Sequence, residues 1–331
     1  VLAVEISRHG GPDVLVARER PDPAPGPGEL LVRNRWIGVN YVDLQHREGH
    51  PYPVELPLVP GTEAAGTVVG AGPDVDPDLV GRPVVHFGHL AGCYAELTAV
   101  PLAHVVPLPR EIPLDVAAAV TLSGTTAYVL TREATRPAGG DIVVVHAAAG
   151  ATGGAVVQFA AAAGAEVVAL ASTAAKAAAA LALGARHAVV LAETPEPAAA
   201  VLTATGGRGA DLVYDSGGRD TFDTSLAMLA TRGTLVLYGQ SSGPVALFDP
   251  GRLSGITGGG LAGSLTLRWV AAGHYLPTSA DRARAVRAVL DEAAAGRFDA
   301  RIAGRFPLAQ AHEAHTLLAS RAVAGKLLLE A

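Results

Sequence analysis

The stretch Ile142-Val143-Val144-Val145-His146-Ala147-Ala148-Ala149-Gly150-Ala151-Thr152-Gly153-Gly154 decides the fold class. Four β-branched residues open it, glycines break it, and an alanine-rich run follows. That order predicts a buried strand over Ile142–Val145, a tight turn, and a helix over Gly154–Ala163. Ala148-x-Gly150-x-x-Gly153 is the dinucleotide fingerprint G-x-G-x-x-G with alanine in its first place. Gly150 would let the backbone approach a pyrophosphate, and Gly153 would let the helix pack on the strand. The helix N-terminus would offer free N–H groups to the phosphates. Residues Ile142 to Ala165 hold no Asp, Glu, Lys or Arg and are numerous enough to span a bilayer. The glycine break between the β-branched and alanine-rich halves argues for strand, turn and helix instead.

Downstream the alternation continues. Strands are predicted at Glu166–Ala171, His187–Leu191, Leu212–Tyr214 and Thr234–Tyr238, with helices at Thr173–Leu183 and Phe222–Ala230. Gly164 and Gly184 stand where left-handed helix caps belong. Strands alternating with helices of this length imply a parallel sheet covered on both faces. Upstream, short β-branched runs separated by turn clusters (Leu30–Arg33, Gly66–Gly70, Arg82–Phe87) predict a β-rich unit. Pro21, Pro23, Pro25 and Pro27 form a connector poor in donors. After about Leu267 the chain is expected to rejoin that first unit through helices Asp281–Ala295 and Leu308–Ser320 and a closing strand Lys326–Glu330. The fold class is therefore α/β. Residues 1–122 and 269–331 would form one domain, and 123–268 an inserted nucleotide-binding domain.

The end of the second strand of such a sheet sets cofactor choice. An NAD site carries an acidic residue there for the ribose 2′-hydroxyl. Here the chain reads Ala171-Ser172-Thr173-Ala174-Ala175-Lys176. No carboxylate repels a 2′-phosphate, and two hydroxyls and an ammonium suit one, so NADPH is the expected cofactor. Capping of the helix by Ser172 or Thr173 is compatible with that role.

Composition narrows the classes. Half of the 331 residues are apolar and the net charge is −6, which argues against nucleic-acid binding and gives no reason to expect an anionic membrane partner. The first residues, Val1–Glu5, lack the basic start and apolar core of a secretory leader, so a cytoplasmic location is expected. Cys93 is the single cysteine and is read as a small buried hydrophobe. Lysine occurs only at 176 and 326.

Several collinear segments together resemble the medium-chain dehydrogenase/reductase superfamily: Gly38-Val39-Asn40-Tyr41-Val42-Asp43, Pro60-Gly61-Thr62-Glu63-Ala64-Ala65-Gly66, Gly124-Thr125-Thr126-Ala127-Tyr128 and the turn itself. Tyr214–Thr221, Tyr238–Gly243 and Ala311–Arg321 are similar to stretches of its zinc-free quinone oxidoreductase, or zeta-crystallin-like, family. That resemblance implies a GroES-like β-rich catalytic domain beside a Rossmann domain. It places Asn40 in the active-site cleft near the nicotinamide and Thr126 against the nicotinamide amide. It sets Ser172, Lys176 and Arg321 around the 2′-phosphate, and Gly239 to Ser242, Ser241 included, along the ribose. It further implies a homodimer formed by joining sheet edges. The chain departs from the family pattern at Ala151 and Thr152, which replace glycine and valine, at Gln45, often a substrate-facing tyrosine, and at Leu191. The loop 256–270 is unusually rich in glycine.

Zinc alcohol dehydrogenases of the same superfamily carry metal ligands where this chain has Asn40 and Thr62. An amide and a hydroxyl are poor substitutes, and Glu63 alone holds no zinc. His46 and His50, or His312 and His315, have no nearby third ligand and are read as surface or packing residues. His86 and His89 are read as lining or rimming the cleft. No metal is expected. Without a Lewis acid the substrate must already accept hydride well: a quinone, an enone or an enoyl thioester. Catalysis would rest on positioning and on hydrogen-bond donors at the developing oxyanion, with Asn40 the first candidate, Gln45 and Tyr52 weaker ones, and Tyr41 a packing residue. The expected activity is NADPH-dependent, metal-independent reduction of a quinone or α,β-unsaturated carbonyl. Alternatives are an enoyl-thioester or alkenal reductase in a biosynthetic pathway, and a non-catalytic NADPH-binding protein.

Overall fold

The computed structural model describes residues 1–88, 91–109, 111–256 and 260–331. His89 and part of the glycine-rich loop therefore lie outside the described residues. From the N-terminus run β1 (Leu2–Glu5), β2 (Val16–Glu19), β3 (Glu29–Val39), α1 (Tyr41–Glu48), β4 (Glu63–Ala71), β5 (Pro83–Phe87), β6 (Leu97–Pro101), β7 (Val105–Pro107) and α2 (Leu114–Tyr128). Next come β8 (Ile142–Val145), α3 (Ala151–Ala162), β9 (Glu166–Ala171), α4 (Ala174–Ala182), β10 (His187–Val190), α5 (Pro197–Ala204), β11 (Ala210–Asp215), α6 (Phe222–Ala227), β12 (Leu229–Leu237) and β13 (Thr266–Trp269). The chain closes with α7 (Ala272–Tyr275), α8 (Ser279–Ala294), β14 (Ile302–Pro307), α9 (Ala311–Ala319) and β15 (Lys326–Glu330).

Two compact units result: Val1–Thr125 with Leu276–Ala331, and Thr126–Tyr275. In the second, six parallel strands stand in the order β10-β9-β8-β11-β12-β13. That is the doubly wound order 3-2-1-4-5-6, whose ligand crevice lies at the carboxyl ends of the first strands. β8 and β9 are buried almost throughout, as strands covered on both faces must be. Val144, Val168, Leu170, Val213, Leu226 and Leu235 make the core on one face.

Three expectations are corrected here. Helix α3 begins at Ala151, not Gly154, because extended Gly150 (φ −74°, ψ 173°) is its N-cap. The helix expected to reach Ala230 stops at Ala227; Leu229 already pairs with Ala210 in the parallel ladder. The return at Leu267 comes later, because Thr266–Trp269 pairs with Thr234–Leu237 as the edge of the nucleotide sheet. β13, Thr266-Leu267-Arg268-Trp269, has four residues of which three are exposed, too short and too open to stand out as a strand. Helix α5 had no sequence expectation either. Ile142 to Ala165 is strand, turn and helix, as read. The one helical run of membrane-spanning length and apolarity among the described residues, 114–134, is about 67% buried within the protein.

The first unit is a mostly antiparallel sheet in the order β14-β15-β3-β4-β5-β7, with β6 also on β3. The eleven-residue β3 is its spine. Its first half pairs with β6, and Trp36–Val39 pairs with Leu327–Glu330 of β15. β4 lies along its other edge, Ile37 opposite Ala64. Ile37, Val39, Ala64, Leu327 and Leu329 pack with Val4 and Ile6 in a common core.

Candidate active site

Strand register alone assembles the polar centre of the first unit. Asn40 follows the last residue of β3, Glu63 is the first of β4, and Lys326 is the first of β15. Since Leu327 pairs with Val39 and Ala64 with Ile37, these three residues lie side by side at one end of adjacent strands. Gly38 makes room for them: a Cβ there would sit 2.3 Å from Glu63 Oε1.

Lys326 is 1% exposed and Glu63 0%. The ammonium is ion-paired with Glu63 and donates to Asn40 Oδ1 at 2.6 Å. The Asn40 amide nitrogen donates to Glu63 Oε1 at 2.9 Å, Thr62 Oγ at 3.3 Å and Gly38 O at 3.3 Å. The amide is thus held at both ends by opposite charges. Glu63 Oε2 also accepts the Leu122 N–H of α2 at 2.6 Å. A buried ion pair persists only where further hydrogen bonds satisfy both ions, and Asn40 and Leu122 supply them.

A second buried group adjoins it. Asp43, fully buried, stands in the first turn of α1 and accepts the Asn40 N–H on Oδ2 at 2.9 Å. Thr62 Oγ donates to its Oδ1 at 3.1 Å, and Tyr94 Oη to its Oδ2 at 3.3 Å. Tyr94 Oη also meets His315 Nε2 at 2.9 Å, and His315 Nδ1 meets Arg47 Nη1 at 3.3 Å. Burial pushes the Asp43 carboxyl up to about 7, against the pull of the Asn40 N–H, Lys326 and Thr62. Burial, helped by Arg47, holds His315 down to about 3. Tyr94 is pushed well above the usual phenol range by burial and then by Asp43.

Beside this cluster is a cavity of about 490 Å³. Its apolar walls are Val42, Pro53, Val54 and Leu122, and its polar ones His46, Tyr52 and Thr62. Burial lowers the His46 pKa, and its Nδ1 is buried without a hydrogen-bond partner. Of the sequence candidates for chemistry, Tyr52 is on the wall and Asn40 is one hydrogen bond from it through Thr62. Gln45 is buried in α1 and is not among those wall residues.

The histidine pairs divide between inside and outside. His46 and His315 are buried, while His50 and His312 are exposed. His86 is buried too, Nε2 at 2.8 Å from Asn34 Oδ1. Cys93 is buried, and burial raises its thiol pKa. Sequence reading assigned no part in the chemistry to Lys326, Asp43, Tyr94 or His315, the last being read as a surface or packing residue. Two signals were present. A lysine opens the apolar strand Lys326-Leu327-Leu328-Leu329, and Asn40-x-x-Asp43 has capping-box spacing.

In the second unit the fingerprint turn is tight. Ala147 takes a left-handed φ of 48°, and its carbonyl accepts the Gly150 N–H at 2.8 Å. A Cβ on Gly153 would lie 2.3 Å from that carbonyl oxygen, so only glycine fits. Buried Ala148 donates to Leu170 O at the end of β9, 3.2 Å away. The N–H groups of Ala151, Thr152 and Gly153 form the first turn of α3, with no side-chain cap. Exposed Ser172 follows β9, and Thr173 caps α4 by accepting the Lys176 N–H at 3.3 Å. Gly239 follows β12, and Ser241 N–H donates to Ser216 O at 3.0 Å. Thr126 lies in α2, and Arg321 lies after α9 in the first unit with φ 57°.

A sheet of Rossmann order set between the two chain segments of a β-rich unit defines the medium-chain dehydrogenase/reductase class. Residues 26–110 match the alcohol dehydrogenase GroES-like domain, and 151–274 the zinc-binding dehydrogenase domain. The chain is 36% identical to a 2-haloacrylate reductase of Burkholderia sp., over 99% of this chain and 98% of the relative. It is 38% identical to a quinone oxidoreductase of Pseudomonas aeruginosa, over 98% of each. The Escherichia coli quinone oxidoreductase, solved in complex with NADPH, superposes with a TM-score of 0.95 at 34% identity, over 100% of both chains. The chain belongs to the quinone oxidoreductase family of that class.

The zinc implied by the domain description does not fit these residues. The donors are an amide at Asn40 and a hydroxyl at Thr62, and the Glu63 carboxylate is matched by Lys326. Such a set offers no three ligands of the type zinc requires. Among the described residues no group of three His, Cys, Asp or Glu side chains is arranged to hold a metal ion.

Proposed function

We propose that the protein is an NADPH-dependent, metal-independent reductase of quinones or α,β-unsaturated carbonyl compounds. The observation that carries this reading is the Lys326–Glu63–Asn40 cluster. A lysine charge is built in beside Asn40 and Thr62, and the set cannot ligate a Lewis acid. The acceptor must then bring its own electrophilicity, as a quinone or enone does. The two relatives, one named for quinones and one for a haloacrylate, fall in that chemical range.

NADPH would supply the hydride. The N–H groups of Ala151, Thr152 and Gly153 and the close approach allowed at Ala148 and Gly150 suit its pyrophosphate. Ser172, Thr173, Lys176 and Arg321 suit the 2′-phosphate, Gly239 and Ser241 the ribose, and Thr126 and Asn40 the nicotinamide end. The apolar walls of the cavity exclude water from the acceptor, and Tyr52 and Thr62 offer hydroxyls to its oxygen. Gln45 lies in α1 between the wall residues Val42 and His46, which supports a role in shaping the acceptor's cavity. The exposed edge strand β13, with Trp269 47% exposed, supports a homodimer joined edge to edge, and the setting is cytoplasmic.

A panel of quinones, enones and enoyl thioesters, followed by NADPH absorbance, tests the reading. Turnover of a quinone or enone is expected. Heat protection by NADPH without oxidation by any acceptor would leave a binding protein instead. Turnover confined to enoyl thioesters would favour a biosynthetic double-bond reductase.

A further inference from the structure

Reduction of a carbonyl-conjugated acceptor adds a hydride and then a proton, and the origin of the proton follows from hydrogen-bond direction in the buried chain behind the cavity. Arg47 donates and cannot accept, so the His315 Nδ1 facing its Nη1 at 3.3 Å is an acceptor. Neutral His315 then carries its hydrogen on Nε2 and donates to Tyr94 Oη at 2.9 Å. The Tyr94 hydrogen is left for Asp43 Oδ2, which also accepts the Asn40 N–H. Both acceptor sites facing inward on Oδ2 are therefore filled. A proton held by Asp43 can sit only on Oδ1, whose partner is Thr62 Oγ at 3.1 Å.

We propose that Asp43 and Thr62 form a proton relay that supplies the acceptor oxygen with the proton accompanying the hydride. This rests on the reductase reading above. With Asp43 ionised, the Thr62 hydroxyl points inward to Oδ1. With Asp43 protonated, its O–H turns to Thr62 Oγ, and the Thr62 hydrogen is released toward the cavity it lines. Asn40 donates to Thr62 Oγ in both states. When hydride adds to the acceptor carbon, the electron pair moves to the acceptor oxygen. That oxygen bonds the Thr62 proton, the Thr62 O–H bond breaks, and Thr62 takes the proton of Asp43, leaving a carboxylate. The arm through Tyr94 and His315 ends at Arg47, which keeps its proton, so recharging comes from water on the cavity side.

The groups facing Asp43 are Thr62 and Glu63 from β4, Cys93 and Tyr94 from the segment before β6, His315 from α9, Lys326 from β15 and Arg47 on its own helix. Burial dominates their sum and places the Asp43 titration near neutrality, at about 7. Asp43→Asn imitates the protonated state, its amide nitrogen donating to Thr62, yet has no proton to give.

The test uses 2-cyclohexenone and 1,4-benzoquinone with NADPH between about pH 5.5 and pH 9, and infrared spectra of the free protein. Wild-type kcat should fall as pH rises through about 7. Thr62→Val should lower kcat at least about 100-fold, the low end for a positioned acid, and lose the inflection, while Thr62→Ser restores it. Asp43→Asn should lower kcat and leave KM for the acceptor independent of pH. The wild type should show a carboxylic-acid C=O band that vanishes above neutrality and is missing from Asp43→Asn. A wild-type rate and inflection in Thr62→Val, or no such band, would overturn the relay alone. A wild type that oxidises NADPH with neither probe would overturn the reductase reading and the relay with it.

Discussion

Lys326 Nζ lies 2.6 Å from Asn40 Oδ1, and the same ammonium neutralises Glu63 inside the protein. Removing one member of a buried pair strands the other charge, which costs about 3–5 kcal/mol. Lys326→Met is therefore expected to lower the unfolding free energy by that amount in urea melts. Adding Glu63→Gln should recover much of it. Equal stability of Lys326→Met and wild type would contradict the pairing.

Gly153 and Gly150 should respond differently to the same methyl group. A Cβ at 153 would lie 2.3 Å from Ala147 O, but one at 150 would lie 3.2 Å away. Gly153→Ala is expected to weaken NADPH binding at least about tenfold, or about 1.4 kcal/mol, and to lower Tm. Gly150→Ala should be milder on both counts. Fluorescence titration of NADPH gives the ranking, and the reverse order would displace the turn.

The 2′-phosphate assignment predicts a change in preference rather than in overall binding. Lys176→Ala should reduce the ratio of NADPH to NADH affinity about tenfold, the loss of one point-charge contact. Thr173 would keep its cap on α4. An unchanged ratio would remove Lys176 from the site.

His315 makes stability depend on pH with a definite sign. Folded, it titrates at about 3, below its ordinary 6.5. Between those values an unfolded His315 binds one more proton than a folded one, so its contribution to stability falls as pH drops through that window, opposing buried Asp43, whose carboxyl raised to about 7 favours the fold as pH drops. His315→Gln should remove that contribution, so that between about pH 4 and 6.5 the variant gains stability relative to wild type as pH drops. A difference between variant and wild type that does not change with pH would remove His315 from that linkage.

Added zinc should not raise kcat, and incubation with EDTA should not lower it, because Asn40, Thr62 and a lysine-matched Glu63 offer the ion no ligand set. Stoichiometric zinc in protein purified without added metal would refute this.

The parallel sheet was legible because Ile142–Val145 and Val167–Ala171 are unbroken apolar runs, the first followed by the glycine turn and the second preceded by Gly164; the strand ranges Ile142–Val145 and Glu166–Ala171 agree with the structure. Thr266–Trp269 escaped notice because its polar–apolar alternation lasts only four residues and three of them are exposed, so its identity comes from pairing with Thr234–Leu237. The glycine turn was readable for the same local reason: its partners are neighbours in sequence. The proton chain was not. Asp43, Tyr94 and His315 are drawn from positions up to 272 residues apart, and hydrogen bonds between such positions leave no spacing to read. Asn40 was found by resemblance, whereas the lysine that orients it was passed over as an ordinary opening residue of β15.

The register that sets Lys326 beside Asn40 also fixes an order of events during synthesis. Every strand of the nucleotide unit has left the ribosome before Lys326 is added, so that unit can fold on its own schedule. Glu63 and Asn40 emerge early and wait, without their cation, for more than two hundred further residues. The catalytic unit is completed only when the last strand docks. A nascent chain stalled before residue 326 would carry a finished dinucleotide fold beside an unfinished reaction centre.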